Sequence, residues 1–151
     1  MVADHIERET VINAPVERVW ELITEPEHVG RWFGDAGAEI DLRPGGLMML
    51  RWTKHGEVRA LVEDVEPPRR FAYRWAPFKD PGGEQPVEGN STLVEFTLAP
   101  EGDGTRLRVV ESGFASLATS DEQRAQNHAS NTRGWQVELD ELRDYAAQSA
   151  V

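Results

Sequence analysis

An α+β fold, an antiparallel sheet with its helices gathered on one face, is predicted by three observations. The chain alternates apolar and polar residues through seven short segments linked by brief turns. Two short stretches with helical spacing interrupt this series after the first segment. A single long stretch with apolar residues every three or four positions ends the chain.

The first extended segment runs from Ile6 to Asn13 and stops at Ala14-Pro15. Proline at a first helical position costs no hydrogen bond and presets φ, and Glu17 follows where a negative charge favours a helix N-terminus. Val16, Val19, Trp20 and Ile23 then fall at i, i+3, i+4, i+7 and give the helix its apolar face. Pro26 restarts the pattern, Val29, Trp32 and Phe33 supply a second, shorter face, and Gly34 ends it.

Strands follow. Ala36 to Leu42 alternates, Arg43-Pro44-Gly45-Gly46 turns, and Leu47 to Lys54 places Met48, Leu50 and Trp52 on one side. His55-Gly56 forms a tight turn into Glu57 to Val65, which Pro67-Pro68 closes. Phe71, Tyr73 and Trp75 share one side of the next strand. Pro77 to Asn90, with three prolines, three glycines and little apolar content, reads as a loop, expected to be mobile and to lie by a cavity entrance. Leu93 to Leu98 sets Val94, Phe96 and Leu98 together, Asp103-Gly104 turns, and Thr105 to Ser112 sets Leu107 and Val109 on one face. From Thr119 to Gln148 the spacing of Ala125, His128, Thr132, Trp135, Leu139, Leu142 and Ala146 predicts one long helix. Gly134 inside it costs roughly 1 kcal/mol against alanine, so close packing against another element is expected there. Val19, Trp20, Phe96, Trp135 and Leu139 are expected to be buried.

The 151 residues make one domain, 1–151, able to bury about two-thirds of its unfolded surface. With 27 acidic against 16 basic side chains the formal charge is -11, which repels phosphate backbones, so nucleic acid is not an expected partner. There is no cysteine, hence no disulfide, thiolate nucleophile or thiolate metal site. Without a basic, apolar leader or a run of about 18 apolar residues, the reading is a cytoplasmic protein with no membrane insertion.

These words in this order resemble the START-like (SRPBCC) superfamily, in particular the Aha1-like group named after the C-terminal domain of the Hsp90 activator. The resemblance spans nearly the whole chain and is carried by Ala14-Pro15 with Val19-Trp20, Pro26 with Trp32, Pro44-Gly45-Gly46, Gly56 with Pro67-Pro68, Gly104-Thr105 with Gly113-Phe114, and Gly134-Trp135. It implies the helix-grip fold: a seven-stranded curved antiparallel sheet around a long C-terminal helix, with two short helices after the first strand. Between sheet and helix, many relatives hold apolar small molecules. The matching residues are architectural, so the resemblance carries over no catalytic set.

Catalytic motifs are missing from the sequence as well. His5, His28, His55 and His128 show no metal-ligand spacing, and no serine nucleophile, phosphate loop or dinucleotide fingerprint is present, so no metal and no cofactor are expected. Glu111, two residues beyond Val109, falls on the apolar face of its strand, where an unpaired charge is costly. It either lines a cavity, orienting a ligand or acting as a base with a raised pKa, or it pairs with a neighbouring arginine or reaches water. Trp52, Phe71, Tyr73, Trp75, Phe96 and Trp135 either fill the core or line the cavity. His128 shares the stripe of Trp135 and Leu139 and is a further cavity candidate or a rim residue. Arg69-Arg70 reads as a solvated strand start.

The expected function is binding of an apolar or amphipathic small molecule in that cavity, by a monomer or a homodimer. A cofactor-independent enzyme resembling polyketide cyclases and aromatases, using Glu111, Tyr73 and His128, is the alternative. A protein-interaction domain like the Hsp90 activator is the third.

Overall fold

In the computed structural model, which describes residues 4–54, 56–76 and 89–148, the chain forms β1 (His5–Ile12), α1 (Val16–Thr24), α2 (Pro26–Trp32), β2 (Ala38–Ile40), β3 (Leu47–Trp52), β4 (Gly56–Glu66), β5 (Arg70–Trp75), β6 (Thr92–Glu101), β7 (Gly104–Ser112) and α3 (Asp121–Gln148). A short 3₁₀ turn, Phe114–Ser116, precedes α3. The strands make one antiparallel sheet in the order β1-β7-β6-β5-β4-β3-β2. This is the helix-grip α+β fold that the sequence predicts. His55 and residues 77–88 of the expected entrance loop lie outside the described residues.

Local chemistry explains the start of the fold. Pro15, extended, sits one residue before α1, and its carbonyl accepts the amides of Arg18 and Val19 at 3.0 Å each. Pro26 occupies the first turn of α2, where a missing N–H costs nothing. The buried arc of α1 is Val19, Leu22 and Ile23. Trp20 is only partly buried, contrary to expectation, because it lies at the margin of that arc with its ring edge-on to Phe71, centroids 6.4 Å apart. At Gly30 a Cβ would sit 2.7 Å from the Cα of Gly37, so the glycine lets α2 press against the backbone leading into β2.

The segment expected as a strand from Ala36 to Leu42 pairs only over Ala38–Ile40. Gly37 has φ +105, and Asp41 turns back to accept the Arg43 amide at 2.8 Å, so both ends leave the ladder. Along β7, Thr105, Leu107, Val109 and Glu111 point to the buried face. The opposite face carries cross-strand ion pairs such as Arg108 with Glu7 at 2.7 Å. Arg70, expected as a solvated strand start, instead joins Asp64 and Glu95, the latter at 2.6 Å.

Trp135, Leu139, Leu142 and Ala146 are the buried stripe of α3. In its first two turns Ala125 is exposed, while Asn127 is buried and accepts a hydrogen bond from Gln123 at 2.8 Å. The close packing expected at Gly134 is absent, since a Cβ there would meet nothing within 4 Å. The helix therefore bears the cost of a glycine without a packing return. Gly134→Ala is expected to raise stability by about 1 kcal/mol, or about 2–4 °C in Tm, by thermal melting. An unchanged or lower Tm would mean that the backbone needs glycine.

Candidate functional site

The open space at Gly134 is one wall of a pocket of about 200 Å³, lined by Phe33, Trp52, Val58, Trp75, Ser130, Asn131, Gly134, Trp135 and Glu138. Three regions build it. The ends of β3, β4 and β5 contribute Trp52, Val58 and Trp75, the C-cap of α2 contributes Phe33, and the middle of α3 supplies the rest. On α3, Asn131, Trp135 and Glu138 stand at i, i+4 and i+7 and so share a face.

The rings form a continuous cluster. Phe33 stacks on Trp135 with centroids 5.5 Å apart and 12° between planes, and it lies 5.4 Å from Trp75 and 5.2 Å from Trp52. Tyr73 meets Trp75 edge-on at 5.6 Å, and Phe96 meets Trp135 at 5.7 Å. Such offset and edge-on pairs satisfy the ring quadrupoles, which favours one arrangement of the wall.

Behind this wall lies Glu111, with 0% exposure. The indole N–H of Trp75 donates to its Oε2 and that of Trp135 to its Oε1, both at 2.8 Å. Asn131 Nδ2 lies 3.0 Å from each oxygen, and the Thr92 hydroxyl also donates to Oε2. Register explains the meeting: Trp75 pairs with Thr92, and Val94, two residues on, pairs with Glu111, while α3 crosses above. Among the described residues neither an arginine nor solvent compensates this carboxyl; four neutral side chains do. Burial pushes it above the usual carboxylate range, opposed by the hydrogen bonds of Thr92, Trp135, Trp75 and Asn131.

Glu138 is the ionisable side chain that lines the pocket itself. Its Oε2 is buried without a hydrogen-bond partner. Burial first, then the charges of Glu141 and Asp35, push its carboxyl up to about 9, with the Trp52 indole opposing the rise. The Tyr73 hydroxyl is likewise buried without a partner, and burial followed by Glu111 and Glu138 pushes it well above the usual phenol range.

Of the residues singled out in the sequence, Trp52, Trp75 and Trp135 line the pocket, Glu111, Tyr73 and Phe96 stand behind its wall, and Phe71 lies toward Trp20. His128 is elsewhere: its Nε2 is 2.9 Å from the His5 carbonyl oxygen, and its ring meets Phe114. Phe33, Asn131, Gly134 and Glu138 were not foreseen as site residues, although the i−4 and i+3 neighbours of Trp135 are Asn131 and Glu138. Glu25, Glu27 and His28 place ligand atoms within 4.8 Å of one another, but proximity alone marks no metal site. Among the described residues no helix is long and apolar enough to cross a membrane.

A sequence model of the family described as "Activator of Hsp90 ATPase homolog 1-like protein" matches residues 13–147. Protein MLL2253 from Mesorhizobium loti is similar in fold, with a TM-score of 0.76 at 22% identity over 96% of this chain and 98% of that one. CalU16 from Micromonospora echinospora gives a TM-score of 0.70 at 29% identity, covering 94% of this chain and 75% of that one. The Aha1 dimer from Colwellia psychrerythraea gives 0.71 at 20% identity, covering 94% and 95%. No curated protein sequence matches significantly.

Proposed function

This chain belongs to the activator of Hsp90 ATPase homolog 1-like family, and from that premise we propose that it binds an apolar or amphipathic small molecule in the pocket between its sheet and its C-terminal helix. The observation that carries this reading is Gly134. A helix of 28 residues carries its glycine in the wall of the pocket, where a Cβ would meet nothing within 4 Å, and bears the cost of that glycine while leaving the space open. Phe33, Trp52, Trp75 and Trp135 provide the apolar contact area that such a ligand needs.

The cyclase-like alternative requires an acid or base that touches the ligand. Glu111 is a poor choice for that role, since its oxygens already accept from Trp75, Thr92, Asn131 and Trp135 behind the wall. A chaperone-docking role would leave the pocket unused, so blocking it separates the two ideas.

Saturation with an apolar ligand at a hundredfold excess over Kd stabilises by about 2.7 kcal/mol, a Tm rise of about 5–10 °C for a domain of this size. Gly134→Leu, whose side chain would project into the pocket, is expected to abolish the rise while the variant remains folded by circular dichroism. Absence of any shift across a diverse apolar library, or an equal shift in Gly134→Leu, would remove the reading.

A further inference from the structure

We infer that the ligand of this pocket carries an uncharged acceptor oxygen, such as a ketone, ester or amide carbonyl, which accepts a hydrogen bond from the Glu138 carboxylic acid while the apolar body lies against Phe33, Trp75 and Trp135. This rests on the small-molecule reading above and adds the chemical group that the pocket recognises.

The geometry supplies a polar group that the protein does not answer. Glu138 lines the pocket, and its Oε2 is buried with no hydrogen-bond partner. Folding has already stripped water from that atom, so a ligand that bonds to it gains what the empty site lacks. The other lining side chains offer little to it. The Trp75 and Trp135 indoles give their N–H groups to Glu111, an indole only donates, and Phe33 and Val58 do neither. Asn131 and Ser130, the lining side chains with acceptor oxygens, stand seven and eight residues before Glu138, roughly 10–12 Å along the helix axis.

The form of the carboxyl decides what it seeks. A carboxylate takes a donor, whereas an acid offers its proton and seeks an acceptor. Burial first, then the charges of Glu141 on the next turn of α3 and Asp35 after α2, push Glu138 up to about 9, against the Trp52 indole, which favours the charged form. Tyr73 on β5, whose phenol feels the charge of Glu138, is itself pushed well above its usual range and keeps its proton. At neutral pH the pocket therefore presents an O–H group to its ligand. Binding of a carbonyl favours the protonated form further, so affinity is full below the folded value and is lost as pH rises through it.

Acetylnaphthalene and isopropenylnaphthalene, substituted at the same ring position, differ only in a carbonyl oxygen against a methylene and so isolate the hydrogen bond. Equilibrium dialysis gives the ratio of their affinities for wild type, Glu138→Gln and Glu138→Leu. Glu138→Gln, whose NH₂ group still donates, is expected to keep the ratio within about twofold, and Glu138→Leu to lower it about five- to tenfold. In the wild type the ratio should be level around neutral pH and fall several-fold as pH passes through about 9, while in Glu138→Gln it stays level throughout. The pH profile is read on the wild type alone, so the assignment is tested even where Glu138→Leu fails to fold. A ratio unchanged in Glu138→Leu, or a wild-type ratio that is flat or rises through that pH, would overturn the acceptor assignment and leave the pocket reading in place. So would failure of both probes to bind where other apolar ligands raise Tm. Failure of both probes, together with no Tm shift across the apolar library, would remove both readings.

Discussion

Glu111→Ala is expected to destabilise the fold by about 3–5 kcal/mol, a large part of the 5–15 kcal/mol that holds a domain together. The cost comes from the donors left behind. Truncation removes the acceptor of the Trp75 and Trp135 indoles, the Thr92 hydroxyl and the Asn131 amide at once. Each buried donor without a partner costs roughly 1–3 kcal/mol, partly relieved where solvent can enter. Glu111→Leu should be nearly as harmful, because filling the volume satisfies no donor. Glu111→Gln keeps one oxygen but turns an NH₂ group toward other donors, so a loss of about 1–3 kcal/mol is expected. Urea denaturation gives the values. A loss below about 1 kcal/mol for Glu111→Ala would show that the strut between β5, β6, β7 and α3 is not what holds Trp75 and Trp135 in the pocket wall.

This strut shows what the sequence discloses and what it hides. Period-two counting along β7 places Glu111 on the buried face with Leu107 and Val109, and that placement is correct. Its partners stand 36, 24, 20 and 19 residues away in the chain, where no local periodicity reaches. The starts of α1 and α2 are legible for the opposite reason, since Pro15 and Pro26 act on their own backbone. Gly134 was misread because a glycine in a helix has two remedies, close packing or open space, and sequence does not separate them. Glu138 was passed over because it flanks the stripe of Trp135 and Leu139 with other acidic residues nearby, a pattern that usually means a solvated edge. Here α2 brings Phe33 and the turn after it brings Asp35 to that edge, which converts it into a wall.

The stability of the unliganded protein should fall as pH rises from about 5 to about 9, and Glu138→Gln should flatten much of that fall. In the unfolded chain Glu138 loses its proton near the ordinary value of 4.5, whereas in the folded protein it is held up to about 9. Between these limits the folded state binds more protons than the unfolded state, so the slope of stability against pH is negative. The favourable contribution is complete below about pH 4.5 and is lost as pH passes through the folded value. One pH unit inside the window is worth at most about 1.4 kcal/mol; with the solvent that reaches a partly buried side chain, a total on the order of 3–5 kcal/mol is expected. Glu111 and Glu141, also raised, act in the same direction but are common to both proteins, and Tyr73, raised well above the usual phenol range, keeps its proton throughout this window. Urea denaturation of wild type and Glu138→Gln at pH 5, 7 and 9 measures the difference. The variant should gain on the wild type with every step in pH, and parallel curves would show that Glu138 ionises as an ordinary surface carboxyl.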